Sequence, residues 1–225
     1  LRMLGLYTWG QRQASFFDCH VNRVVIPHLS PELEGLRILH LTDLHFGPDS
    51  DLLDKIVLHI RSEPFDFCVI TGDFNYKGGQ AYNVALDLLA TLRPALGERV
   101  FAILGNHDKI SIVPSIEALQ INVLLNEQKD LRHKEGTFTL LGVDDPHYFA
   151  TDNLETLRPI TKGKLTLLLS HSTELHREAE RAGIAFVMAG HTHGGQICLP
   201  GGFPLLNNAK APRKLHAGAW RYGRL

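Results

Sequence analysis

From residue 37 onward the apolar residues fall in short, branched runs closed by turn residues. Runs of this length and composition, bounded by Gly, Asp or Asn, read as buried strands. They predict strands over 37–42, 66–71, 100–104, 137–143, 164–169, 184–189 and 196–199. Between the first three lie stretches with helical spacing at 50–62 and 80–92, the first with Ser50 or Asp51 as N-cap. A further helix is predicted over 173–182, stopped by Gly183 at a C-cap position. Strand, helix, strand, helix, strand is the order of a parallel sheet covered by helices, so the fold class is α/β. Residues 1–36 are less regular. They carry Tyr7, Trp9, Phe16 and Phe17 and read as an N-terminal arm or extra strand ahead of a core at 37–199. A tail at 200–225 is apolar and rich in Gly and Pro, and the whole reads as a single domain over 1–225.

The polar residues that interrupt this pattern are not scattered. Past the predicted strand ends stand Asp43-Leu44-His45, Gly72-Asp73, Gly105-Asn106-His107-Asp108, Ser170-His171 and Gly190-His191-Thr192-His193. In open α/β sheets the carboxyl edge of the strands is where ligands bind. Five segments thus bring imidazole, carboxylate and amide groups to one rim. Histidine nitrogens with carboxylate oxygens suit Mn, Fe or Zn, and the lack of a cysteine pair argues against a closed structural zinc site. Asp43, His45, Asp73, Asn106, His171, His191 and His193 are too many ligands for one ion and suit two divalent ions sharing a carboxylate. Gly72, Gly105 and Gly190 precede ligands and let the backbone approach the site closely. The other eight histidines (20, 28, 40, 59, 133, 147, 176 and 216) have no motif around them and read as surface or packing residues, with His40 in the core of the first strand.

Composition narrows the partners. With 44% hydrophobic and 21% charged residues the chain suits a packed core rather than disorder. Basic and acidic residues number 23 and 24, so no broad positive field exists to bind nucleic acid. Cys19, Cys68 and Cys198 form no framework of disulfides, and Cys68 reads as a small core residue. No apolar run nears the ~20 residues that span a bilayer. Because the chain begins at Leu1, an upstream targeting or anchor segment stays open, as does the choice between a cytoplasmic and an envelope-associated setting.

The ordered set Asp43-x-His45, Gly72-Asp73, Gly105-Asn106-His107-Asp108, His171 and Gly190-His191-x-His193 resembles the calcineurin-like metallophosphoesterase superfamily. Within it, LTDLHFG at 41–47 and GHTHGGQICLP at 190–200 resemble a bacterial phosphodiesterase branch with cell-wall-associated and UDP-2,3-diacylglucosamine-hydrolysing members. The resemblance implies a β-sandwich of two mixed sheets flanked by helices. It implies that Asp43, His45 and His193 hold one metal, that Asn106, His171 and His191 hold the other, and that Asp73 bridges them. A metal-bridging hydroxide would attack phosphorus in line, with His107 stabilising the phosphoryl oxygens or protonating the leaving group. Asp108 is expected to orient His107. Only 32 residues follow His193, where the family usually has more strands, so either the branch is compact or the C-terminal strands are incomplete.

The expected substrate is a phosphodiester or pyrophosphate, lipid-linked or of the cell envelope, with a small or cyclic-nucleotide phosphodiester as the alternative and a non-catalytic metal scaffold as the third reading. No long insertion separates the ligand segments, which favours an open site and a bulky substrate. The segment 200–207 reads either as a loop folded on the core or as a hydrophobic lip for acyl chains and peripheral membrane contact. A monomer is expected.

Overall fold

The computed structural model describes residues 19–45, 50–75, 82–148, 164–195, 198–199, 203–204 and 209–223. Two four-stranded sheets form its centre. The first has the order β1 (Ile38–Leu41), β2 (Phe67–Thr71), β3 (Val100–Ile103), β4 (Asn122–Val123), and every pairing in it is parallel. The second runs β5 (Glu127–His133), β6 (Gly136–Gly142), β7 (Thr166–Leu169), β8 (Phe186–Met188). Its β5–β6 pair is an antiparallel hairpin, while β6–β7 and β7–β8 are parallel. A small antiparallel pair, β9 (Cys198–Leu199) with β10 (Phe203–Pro204), follows.

Side-chain alternation along the strands assigns the layers. From β2, Phe67 and Val69 point to the interior shared with Phe138, Leu140, Leu167 and Leu169 of the second sheet, while Cys68 and Ile70 point the other way. There they meet helices α1 (Ser50–Ser62) and α2 (Tyr82–Leu92) through Leu53, Ile60, Ala85, Leu89 and Leu92. With both faces covered, β2 and β3 are buried at every position. Phe67 sits between the sheets, stacked on Phe138 at 5.5 Å and edge-on to Phe101 at 6.1 Å. The outer face of the second sheet packs Leu141, Val143 and Leu168 against α4 (His176–Ala182). The result is a β-sandwich flanked by helices, as the resemblance implied.

Strands form within all the predicted stretches; those at 37–42, 66–71, 100–104, 164–169 and 184–189 are shorter by a residue or more, the one predicted at 137–143 sits one residue earlier, and the one predicted at 196–199 is described at 198–199. Helix α1 keeps its predicted bounds. The predicted helix at 173–182 opens as a 3-10 turn at Thr173–Leu175 before α4, and Gly183 ends it in the left-handed region at φ 81°. Ile184 N–H donates to Ala179 O and Gly183 N–H to Glu180 O, closing the carbonyls of the last turn. Several short or polar elements go unpredicted, among them β4, β5, β10 and α3. Strand β5 reads Glu-Gln-Lys-Asp-Leu-Arg-His and is an exposed edge whose charges face water, so it has almost no apolar pattern to detect. Strand β4 is two residues long, and α3 (Val113–Ala118) is a short helix after a 3-10 turn.

His40 is a correction: it occupies the exposed position of edge strand β1 rather than the core, with its Nε2 on Thr71 Oγ1 at 2.9 Å. Cys68 is fully buried. Residues 19–30 form no strand, and the arm docks on the sandwich interior through Leu29, Leu33 and Leu36. The aromatic residues of 1–18 and most of the 200–207 segment lie outside the described residues. No helix among the described residues is long and apolar enough to cross a membrane.

Candidate metal centre

Strands β1, β2 and β3 of the first sheet, and β7 and β8 of the second, deliver their following loops to one rim. The loops are tied to one another by backbone bonds: Asp43 N–H donates to Gly72 O, His45 N–H to Asp73 O and Gly190 N–H to His171 O, at 2.9–3.1 Å. Glycine is needed where these loops touch. A Cβ on Gly190 would fall on Thr42 Oγ1 and Asp43 Oδ2, and one on Gly105 would fall on Asp73 Oδ1.

The structure brings all seven predicted ligands together, in two groups that meet at Asp73. On one side His193 Nε2 is 3.3 Å from Asp43 Oδ1 and 3.1 Å from His45 Nε2. Asp43, His45, Asp73 and His193 all place a ligand atom within 4.8 Å of one another. On the other side Asn106 Oδ1 is 3.0 Å from His171 Nε2 and 2.9 Å from His191 Nδ1. The carboxylate of Asp73 faces both groups, with Oδ2 at 3.5 Å from His45 Nε2 and 3.4 Å from His171 Nε2.

Outer partners set which ring nitrogens point inward. His171 Nδ1 donates to Thr71 O at 2.7 Å and His45 Nδ1 donates to Asn75 O at 3.0 Å. In both rings Nε2 is then the nitrogen turned to the centre, the arrangement that prepares imidazole as a metal ligand. Two imidazole Nε2 atoms facing each other at 3.1 Å need a proton or a cation between them. The donor set therefore fits divalent metal.

Backbone conformation singles out the same residues. Nine non-glycine residues have positive φ among the described residues, and five are Asp43, His45, Asp73, His191 and His193. Such conformations cost energy and gather at functional sites, where surrounding contacts enforce them.

The charges are strongly coupled. Burial opposes ionisation of Asp43, but the His193 hydrogen bond, the His171 charge and the Thr42 hydroxyl overcome it and hold the carboxyl below its usual range. Asp73 is likewise held low against its burial, chiefly by His171. Burial disfavours charge on His171, yet Asp73 and Asp43 raise it to about 9. The Asp43 hydrogen bond raises His193.

His107 stands at the rim with an exposed side chain, its ring 5.6 Å from that of His45. Its N–H donates to Asp73 Oδ1 at 3.0 Å. Asp108, expected to orient His107, turns its carboxylate instead to backbone N–H groups. It is buried, and its oxygens accept N–H groups from Asp73 (2.7 Å), Gly105 (2.9 Å) and Phe74 (3.0 Å). Burial, opposed by the Gly105 N–H, lifts its carboxyl to about 6. This places Asp108 as the tie between the Asp73 and Asn106 loops.

Two histidines read as bland stand beside the centre. His147 packs against His191 with ring centroids 5.0 Å apart, its Nδ1 2.6 Å from Glu174 Oε1. His216 offers its backbone carbonyl to Thr192 Oγ1, between the two ligand histidines, at 2.5 Å. A signal for His147 did exist: Asp144-Asp145-Pro146-His147 follows β6, a strand end like those that supply the ligands.

A two-sheet sandwich with imidazole, carboxylate and amide donors converging at its strand ends defines a metal-dependent hydrolase class. The family model for calcineurin-like phosphoesterases matches residues 36–195, and the chain belongs to that family, whose members are metal-dependent phosphoesterases. A metallophosphoesterase of Aquifex aeolicus is 30% identical over 183 residues, covering 76% of this chain and 68% of that one. YkoQ of Bacillus subtilis, also a metallophosphoesterase, is 27% identical over 207 residues, 87% of this chain and 76% of its own. A transmembrane protein with a metallophosphoesterase domain from Danio rerio is 27% identical over 218 residues, covering 88% of this chain but 48% of its own length. Among solved structures, the NAD nucleotidase of Haemophilus influenzae shares the fold with a TM-score of 0.51 at 17% identity, over 70% of this chain and 38% of that one.

Proposed function

We propose that the chain is a dinuclear hydrolase of phosphodiester or pyrophosphate bonds. The observation that carries this reading is the position of Asp73, whose Oδ2 stands 3.5 Å and 3.4 Å from imidazoles of two separate donor groups. Asp43, His45 and His193 would hold one ion, Asn106, His171 and His191 the other, and Asp73 both. Two such ions supply an activated water and charge neutralisation at the phosphoryl oxygens. Mn, Fe and Zn all suit these donors.

The protein's own groups do the rest. His107, exposed at the rim and held by its N–H to Asp73, would hydrogen-bond a phosphoryl oxygen or give a proton to the leaving oxygen. Asp108 keeps the two loops that carry Asp73 and Asn106 in register. The Asn75 and Thr71 carbonyls keep His45 and His171 aimed at the centre.

For the substrate, the reading is a lipid-linked or envelope phosphodiester or pyrophosphate such as UDP-2,3-diacylglucosamine. It is supported by the motif resemblance at 190–200 and by similarity to a protein whose name places it in a membrane. The test is hydrolysis of bis(p-nitrophenyl) phosphate by chelator-stripped protein with Mn²⁺ restored, beside His107→Ala. Metal-restored activity that drops about 10²–10⁴-fold in the variant is the expected result. Equal activity in the two proteins would remove His107 from the reaction, and no metal uptake would overturn the reading.

A further inference from the structure

The carboxyl ends of β6, β7 and β8 lie side by side, because the three strands pair in parallel. The loop after β7 carries His171 and the loop after β8 carries His191. The loop after β6 brings no ligand in the proposed assignment. It brings His147, whose ring packs on that of His191 with centroids 5.0 Å apart and planes tilted by 40°.

That ring is held at both ends. Asp145, fully buried, accepts the N–H groups of His147 at 3.2 Å and Tyr148 at 3.0 Å, which fixes the backbone behind the ring. At the ring itself, Nδ1–H donates to Glu174 Oε1 at 2.6 Å. Glu174 lies in the 3-10 turn just past His171, and the same oxygen accepts the Lys210 N–H of the tail at 3.1 Å. The side chains of His147 and Glu174 are 18% and 12% exposed. A carboxylate so far from water costs free energy unless it is paired, so this is a fixed contact rather than a passing surface ion pair.

Backbone carbonyls aim His45 and His171. For His191 the neighbour is a ring locked at backbone and tip, which limits where a second ring packed on it can go. We infer that His147 and Glu174 are a positioning pair for His191, with His147 as a fixed wall and Glu174 setting the rotation of that wall. The tail takes part through the Lys210 N–H and through the bond from Thr192 to His216. Metal affinity on the Asn106–His171–His191 side is thereby tied to docking of residues 209–216. The inference rests on the two-ion reading above and adds residues outside its ligand set.

Stepwise metal binding tests it. The full chain, stripped by chelator, is titrated with Mn²⁺ by calorimetry, and the parent should show two binding steps. In His147→Ala and in Glu174→Ala one step should weaken at least tenfold, within the ~10–100-fold range for groups behind metal ligands, while the other stays. Glu174→Gln keeps an oxygen that accepts both N–H groups and should restore the weakened step. A folding defect would weaken both steps together. Equal weakening of the two steps, unchanged binding in His147→Ala, or a Glu174→Gln no better than Glu174→Ala overturns the proposal. Hydrolysis of bis(p-nitrophenyl) phosphate gives a second readout. The kcat lost in His147→Ala should return as Mn²⁺ is raised, with KM unmoved. A loss that persists at saturating Mn²⁺, or a raised KM, would assign His147 to the substrate and overturn the proposal. A parent that binds fewer than two ions is a different result: it defeats the two-ion reading itself, and the proposal with it.

Discussion

Asp73 is a single carboxylate that faces imidazoles of both donor groups and also accepts the His107 N–H. Asp73→Asn keeps the volume and removes the shared charge, so both metal positions should weaken together. Metal analysis after dialysis should show far less than full loading, and two ions retained per chain would refute the bridge. His171 gives the pH dependence. Its folded value of about 9 lies above the ~6.5 of an unfolded imidazole, so in metal-free protein its stabilisation is complete below about 6.5. That contribution is lost as pH rises toward about 9. Melting temperature of chelated protein should therefore fall across pH 6.5–9. Metal-loaded protein should not fall over that range, because metal displaces those protons and binds better as pH rises. The ligand types and their rim were legible in the sequence because each sits just past an apolar run. The role of Asp108 was not, since only the fold shows its oxygens spent on backbone N–H groups.

At the scale of elements, the strand ends are aligned by parallel pairing. Thr71 pairs with Ile103 across β2–β3, and Leu169 with Met188 across β7–β8. The loops leave from matched heights, and Asp108 then fastens two of them. Asp108→Ala would strip the partner from three backbone N–H groups, each costing on the order of 1–3 kcal/mol if left unsatisfied. A clear drop in melting temperature with reduced metal content is expected from thermal denaturation and metal analysis. A variant as stable as the parent would show that water replaces the carboxylate. Gly190→Ala should also lower metal affinity, because its methyl would displace Thr42 and Asp43. Buried strands declared themselves through apolar runs, whereas β5 did not. An edge strand with one buried Leu131 and one buried His133 carries too little periodicity to be seen in isolation.

For the whole molecule, the division of labour between the sheets is what counts. Asp43, His45, Asp73 and Asn106 follow strands of the first sheet; His171, His191 and His193 follow strands of the second. The sandwich interior around Phe67 and Phe138 sets the spacing between these groups. The pairing of the two sheets could not be read from sequence, since no local pattern records which apolar faces meet across the interior. Its outcome is that each of the two donor groups proposed to hold an ion draws on both sheets. On the proposed assignment metal would act as a clasp across a seam, and removing it should loosen the seam before it loosens the strands. Amide exchange in chelated protein should quicken first at 42–45, 71–75 and 189–193, with β2 and β3 still protected. A chain whose sheets fold but dock wrongly would come away empty. On that assignment metal content would certify assembly, and a preparation's ion-to-chain ratio would count the molecules that were put together correctly.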